Sequence, residues 1–293
     1  MIQLLTIFWD PKPEIFFLPV LHYPVLWYGV FFALGFILGF PIFVGILERF
    51  FRLRPELEKG DILDKDGHPN LKKQAVELTD RLTIYMVIAT VIGARLGHLI
   101  FYEAPSYYLN NPLQVFAVWK GGLSSHGAAI GIVLALWFFS YQYRKQMRHL
   151  TWLGLLDFVC VPTALAGAFI RIGNFFNQEI LGISTDVPWA VIFGHPADHS
   201  FPTPRHPVQL YEAVFYLFVF VLLWRLTFLP KFLKERGRLL GLFLILVFGF
   251  RIIVEYWKLE QSVLMPYSFD LTMGQILSIP AVLIGLWLYF RKK

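Results

Sequence analysis

One cysteine stands in the whole chain, Cys160 in the apolar run DFVCVPTALAGAF. No intrachain disulfide can form, four-cysteine metal sites are excluded, and a thiol in such a run reads as a buried structural group. Charge is scarce as well. Only 16% of the 293 residues are charged, where soluble domains carry about a quarter. With 57% hydrophobic residues and a mean hydropathy of +0.58, the chain reads as an integral membrane protein. The N-terminal stretch MIQLLTIFWDPKPEIFFLPVL lacks a basic leader and is interrupted by Pro11, Pro13 and Pro19, so it is not expected to be a cleavable signal peptide. There is no internal repeat of the transporter kind. The eight histidines are scattered, so neither a metal nor any other cofactor is expected.

What remains is largely apolar runs. About seven of them approach the ~20 residues that a bilayer-crossing helix needs, at 25–47, 80–102, 123–142, 151–172, 208–229, 239–257 and 272–290. The expected fold is therefore an all-α, polytopic membrane domain over residues 1–293, with irregular extracytoplasmic segments at 1–24, 103–122 and 173–207. The charged stretch at 48–80 is expected to be a water-exposed cytoplasmic loop. Nineteen Lys and Arg residues fall on the side of 48–81, 143–150, 225–238 and the C-terminal tail. Four fall on the other side, namely Lys12, Lys120, Arg205 and Lys258. The positive-inside rule puts the N-terminus outside and the C-terminus in the cytoplasm, which requires an odd number of spans.

Three arginines lie within spans or at their ends: Arg95, Arg171 and Arg251. A charged side chain at membrane depth is costly and needs a polar cavity and a partner. Arg171 in AFIRIGNFFNQE precedes Asn174, Asn177 and Glu179, and helical spacing puts Asn174 on its surface. A snorkelling interfacial arginine would not require the polar residues that follow. Arg251 and Glu255 are an i,i+4 pair, either a site or a self-neutralised structural clasp. Arg95 faces His98 at i+3 or a carboxylate such as Glu103. His126 opens HGAAIG among small residues that admit close approach; it is a packed histidine or a catalytic one. Tyr28 in WYG is an interfacial anchor or a site residue. Glu212 enters a span and so needs a partner such as one of the arginines. Guanidinium forks gathered in a dry site suit a phosphate group.

Seven motifs together resemble prolipoprotein diacylglyceryl transferase of bacteria. They are WYG at 27–29, GARLGH at 93–98, WKGGLSSHGAAIG at 119–131, RIGNFFNQE at 171–179, RHPVQLYE at 205–212, FRIIVEY at 250–256 and MGQILSIP at 273–280. The resemblance implies a seven-span enzyme of the bacterial cytoplasmic (inner) membrane. It would move the diacylglyceryl group of phosphatidylglycerol to the lipobox cysteine of a prolipoprotein signal peptide, forming a thioether and releasing glycerol 1-phosphate. Its implied partners are those two substrates and membrane lipids, with no nucleic acid. Family roles carry over to His126, Arg171 and Arg251 as catalytic residues, and to Tyr28, Arg95, Asn174, Glu179 and Glu255 as substrate-binding ones. Two positions depart from the family pattern: Ala128 replaces a frequent glycine and Val247 a frequent tyrosine.

The residues suit that chemistry. Fixed arginines stabilise a phosphate leaving group, so Arg171 and Arg251 are expected on the lipid phosphate with Arg95 assisting. Glu179 and Glu255 are expected to orient the arginines, and Asn174 and Tyr28 to hydrogen-bond the head group. The nucleophile belongs to the substrate, and its thiol needs activation at neutral pH. His126 as proton acceptor and an arginine that favours the thiolate remain alternatives. A transporter or channel for an anionic solute, or a non-catalytic lipid-binding scaffold, would also use buried arginines. Neither alternative makes a lipidated peptide.

Overall fold

A computed structural model describes residues 7–19, 24–53, 70–101, 112–117, 122, 124–144, 150–259 and 271–291. The helices are α1 (Trp27–Arg52), α2 (Leu71–Phe101), α3 (Ser125–Gln142), α4 (Trp152–Phe176), α5 (Val208–Leu226), the short α6 (Pro230–Lys234), α7 (Arg238–Val254) and α8 (Met273–Phe290). Six of them are long and apolar enough to cross a membrane, namely α1, α2, α4, α5, α7 and α8. The expected third span is present as α3, whose apolar part over His126–Gln142 is shorter. Helix α2 starts at Leu71, nine residues before the expected span. Its first turns, LKKQAVELTDR, are good helix formers that hydropathy alone does not register. The expected loop at 48–80 therefore includes the ends of α1 and α2, and 54–69 lies outside the described residues.

The chain divides into two compact units, one of Met1–Phe43 with Val159–Lys293 and one of Val44–Phe158. In the second unit, α2 and α3 touch backbone to backbone. A Cβ added at Gly97 would lie 2.6 Å from Gly127 Cα, and one at Gly127 would collide with the Gly93 carbonyl. Glycines at these crossings let two helices approach without side chains between them. The contact fixes the start of α3. Ser124 donates its N–H to Ala94 O at 2.9 Å, and its hydroxyl caps the Gly127 N–H.

The first unit holds the N-terminal part of α1, most of α4, and α5, α7 and α8. Helices α1 and α4 meet closely, since a Cβ at Gly35 would lie 2.9 Å from Ala166 Cβ. Thr272 and Gln275 form a capping box at the start of α8, and Gln275 Nε2 donates to Ile252 O on α7.

The segments expected to be irregular are not wholly so. Strand β1 (Ile7–Trp9) pairs in parallel with β4 (Val191–Phe193), and β4 pairs antiparallel with β5 (Pro204–Arg205). Strand β2 (Glu14–Phe17) pairs antiparallel with β3 (Pro24–Leu26). The first sheet sits on a small apolar cluster of Phe175, Leu181, Val191 and Phe193, flanked by Trp9 and Leu210. Trp9 also donates to Phe175 O at 3.1 Å. The cluster holds the segment after α4 against the end of that helix, where the polar residues begin. Strands this short escape a sequence reading because three residues carry no usable periodicity.

Candidate functional site

Polar residues from α4, α5 and the end of α7 form one connected network in the first unit. Helix α4 continues through Phe176, so Arg171 and Asn174 sit one turn apart and Arg171 Nη1 donates to Asn174 Oδ1 at 3.3 Å. Beyond the helix, Gln178 and Ile180 adopt left-handed backbone conformations, with φ of 53° and 55°. These residues turn the chain back, and the Glu179 carboxylate returns to the helix end. It accepts from Asn174 Nδ2 and Asn177 Nδ2, each at 3.0 Å. Gln209 on α5, fully buried, donates to Glu179 O and ties the turn to the next span.

Glu212 sits at the centre. It is 0% exposed and touches two cations. Arg171 Nε lies 3.0 Å from Oε2, and Lys258 Nζ donates to Oε1 at 2.9 Å. The Arg171 contact is ionic rather than a linear hydrogen bond, because Oε2 has no well-aligned donor. Tyr216, one turn along α5, donates its hydroxyl to Oε1 at 3.3 Å and lies within electrostatic reach of Arg171. Arg251 lies within electrostatic reach of Tyr216, and its Nε is buried without a hydrogen-bond partner.

The sequence spacing placed Glu255 on Arg251. The structure instead gives its carboxylate to Lys258 at 3.5 Å. The α-helical winding ends at Val254, and Glu255–Trp257 form a 3-10 turn, which changes the direction of the side chain. The first turn of α8 presses on the same carboxylate, since a Cβ at Gly274 would collide with Glu255 Oε1. Burial pushes the Lys258 ammonium below the ordinary lysine value, and Glu212 pulls it back. Tyr28, in the first turn of α1, lays its ring on Gly173, where a Cβ would come within 2.9 Å. It shares the electrostatic environment of Glu179 and Arg171.

Arg95 and His126 belong to the other unit. Arg95 is buried and donates through Nε to Val115 O at 2.9 Å, through Nη1 to Gly122 O at 3.2 Å, and through Nη2 to Gln114 O. Its expected alternative partner Glu103 lies outside the described residues. His126 is exposed in the first turn of α3. The structure thus brings together Tyr28, Arg171, Asn174 and Glu179 directly, and Glu255 through Lys258 and Glu212, with Arg251 beside Tyr216.

Lys258 and Tyr216 were missed by the sequence reading. Glu212 was noted as needing a partner but was left out of the site. A lysine seven residues after an intramembrane arginine resembles an outer-loop anchor, and only the fold reveals its burial. The Glu212–Tyr216 spacing of four was the available signal for Tyr216. Among the described residues no group of three or more His, Cys, Asp or Glu side chains is arranged for a metal ion.

Two further polar clusters lie apart from the Glu212 network, one in the loops and one at the start of α5. Asp10 Oδ1 is 2.6 Å from His195 Nδ1 and accepts from Gln178 Nε2 at 3.2 Å. Trp189 donates to the Tyr211 hydroxyl at 2.7 Å, which leaves the hydroxyl proton for His206 Nδ1 at 3.1 Å. Burial pushes the His206 imidazole below its usual value, in keeping with a neutral ring that accepts there.

Comparison with known proteins gives a consistent outcome. Residues 14–291 match the family model described as prolipoprotein diacylglyceryl transferase. The chain is 37% identical to the phosphatidylglycerol–prolipoprotein diacylglyceryl transferase of Protochlamydia amoebophila, over 98% of this chain and 95% of that protein. It is 42% identical to the protein of that name from Tolumonas auensis, over 96% and 95%. It is 40% identical to the one from Chloroherpeton thalassium, over 97% and 94%.

Proposed function

The chain belongs to the prolipoprotein diacylglyceryl transferase family, and we propose that it carries out the reaction named in its relatives, the first step of lipoprotein maturation. The substrate thiol attacks the glycerol carbon that bears the phosphate ester. A C–S bond forms, the C–O bond to the phosphate breaks, the thiol proton leaves, and glycerol 1-phosphate departs. The acceptor is the lipobox cysteine of a prolipoprotein signal peptide. The enzyme acts from a multi-pass position in the cytoplasmic membrane, N-terminus outside.

The observation that carries this reading is the arrangement around Tyr216. Arg171 is fixed there by Glu212 and Asn174, and Arg251 offers a buried, unpartnered Nε nearby. Both guanidinium groups bind the lipid phosphate and take up the charge that develops as the ester bond breaks. Asn174 uses both ends of its amide within the protein, so it orients Arg171 and Glu179 while Tyr28 faces the head group. Glu255 acts on the site through Lys258. Arg95 braces its own unit through the carbonyls of residues 114, 115 and 122. His126 accepts the thiol proton; an arginine that favours the thiolate is the alternative.

The test is incubation of purified protein with phosphatidylglycerol and a lipobox peptide. A thioether-linked diacylglyceryl peptide, together with glycerol 1-phosphate, is expected. Lipid uptake without product would refute the enzymatic reading. His126→Gln separates the two activation schemes, because a turnover unchanged across pH would exclude histidine as an obligatory base.

A further inference from the structure

Arg251 and Glu255 are neighbours on one helical turn, yet they form no ion pair. The Glu255 N–H still closes on Arg251 O, so the backbone spacing that brings such side chains together is kept. The Glu255 carboxylate, 9% exposed, goes instead to Lys258 Nζ at 3.5 Å. The 3-10 turn over Glu255–Trp257 makes this possible, because residues three apart lie over one another in that winding. Lys258 is delivered there by its main chain. It bridges Gly182, with the Ile183 N–H donating to Trp257 O and the Leu259 N–H to Leu181 O, each at 2.9 Å. Its ammonium also reaches Glu212 Oε1 at 2.9 Å. The connected group of Arg171, Glu212, Lys258 and Glu255 therefore pairs two cations with two carboxylates and is neutral. Arg251 stands outside that balance. Among the described residues it makes no ion pair, and its Nε is buried without a hydrogen-bond partner.

We infer that Lys258 is a positioning residue for Arg251: by holding the Glu255 carboxylate it keeps that group off Arg251, whose guanidinium then stays available to an anionic head group. The inference rests on the phosphatidylglycerol reading above and adds to it the residue that preserves one of its two cations. A buried carboxylate that loses its cation must find another or take up a proton. Glu212 keeps Arg171 on its other oxygen when Lys258 is removed. Glu255 has Arg251 one turn behind it. An arginine paired to a carboxylate offers little net attraction to a phosphate.

Equilibrium binding of radiolabelled phosphatidylglycerol to the detergent-purified full chain is measured beside transfer to a lipobox peptide, so that a variant without turnover still reports. Lys258→Met removes the ammonium at similar length. Glu255 then turns to Arg251, and Kd for the lipid rises about 10-fold, the size of one lost hydrogen bond to a charged group. Lys258→Arg keeps a cation against both carboxylates and holds Kd near wild type. The double variant K258M/E255Q has no carboxylate at 255 to capture Arg251, so its Kd returns towards wild type. A merely structural role would not give that rescue, because removing a second member of a supporting cluster would weaken binding and lower the melting temperature further. A double variant that binds as weakly as Lys258→Met, or more weakly, overturns the inference, as does an unchanged Kd in Lys258→Met. Should Lys258→Met fail to fold, Lys258→Gln, equally uncharged but able to donate to Glu212, takes its place alone and with Glu255→Gln. Wild-type protein that binds phosphatidylglycerol but transfers nothing refutes the functional reading, and the binding comparison still decides the role of Lys258. Active wild type without the rescue refutes the inference alone.

Discussion

Arg171 and Arg95 are both arginines buried in apolar helices, and the two units solve the same problem differently. Arg171 is held by a carboxylate and an amide oxygen. Arg95 is held by three main-chain carbonyls from 114, 115 and 122. Carbonyl partners satisfy the donors of a guanidinium and also fasten the chain that supplies them. A carboxylate partner on a helix fixes the orientation of the guanidinium without fastening a stretch of loop backbone. The comparison teaches that burial of an arginine does not by itself mark chemistry. The nature of its partners does.

The most severe test of that contrast is Arg171→Lys. Lysine keeps the charge but loses the fork that meets Glu212 and Asn174. Transfer to a lipobox peptide is expected to drop by ~100-fold or more, with little change in the melting temperature of the detergent-solubilised protein. Arg95→Ala should show the opposite profile. It leaves three carbonyls without their donor and should cost roughly 3 kcal/mol of stability, seen as a lower melting temperature, with activity per folded molecule much less affected. Loss of turnover without loss of stability in Arg95→Ala would break the contrast and move Arg95 into the chemistry.

A smaller effect is expected where the network meets a helix start. Gly274 leaves no room for a side chain beside Glu255. Gly274→Ala must displace that carboxylate from Lys258, and transfer should fall about 10-fold, as expected for an error of about an ångström in a supporting contact. In the second unit, Gly127→Ala meets the Gly93 carbonyl across the α2–α3 contact. That overpacking should cost about 1–3 kcal/mol, again read in the melting temperature rather than in turnover. Should Gly274→Ala act only on stability, Glu255 belongs with the braces rather than with the site.

Much of this was legible in the sequence because membrane burial leaves simple signals. Apolar run length located the helices, and the polar residues of RIGNFFNQE marked the end of α4 as a place of interest. Glu212 was flagged by the cost of a carboxylate in a span, and Arg171 meets it as that cost requires. Illegible were contacts made by winding rather than by sequence distance. Glu255 turns from Arg251 to Lys258 because three residues adopt 3-10 geometry. Lys258 is drawn in by the bridge between its own backbone and Gly182, two positions more than seventy residues apart. Strand pairs three residues long, such as Ile7–Trp9 with Val191–Phe193, depend on partners that no local pattern announces.

The smallest expected effect concerns a loop clasp that belongs to neither arginine. The His195 hydrogen bond, and after it the Gln178 amide, hold the Asp10 carboxyl below its ordinary value of 3.8. A carboxylate whose folded value is depressed contributes stability that is present above its unfolded value and is lost as pH falls through the folded one. Above about pH 4, Asp10 therefore helps to fasten β1 to the loop at 194–195, alongside the Gly194 N–H bond to Trp9 O at 3.0 Å. Acidification below that range should loosen this edge. Amide hydrogen exchange at Gly194 and His195, followed from pH 6 to pH 3 after correction for intrinsic rates, reads the clasp directly, because the His195 N–H is held by Gln178 Oε1 at 2.7 Å. Asp10→Asn should abolish the pH dependence. An identical profile in that variant would assign the loosening to another group and leave the β1–β4 ladder, rather than the Asp10 clasp, as the fastening of this edge.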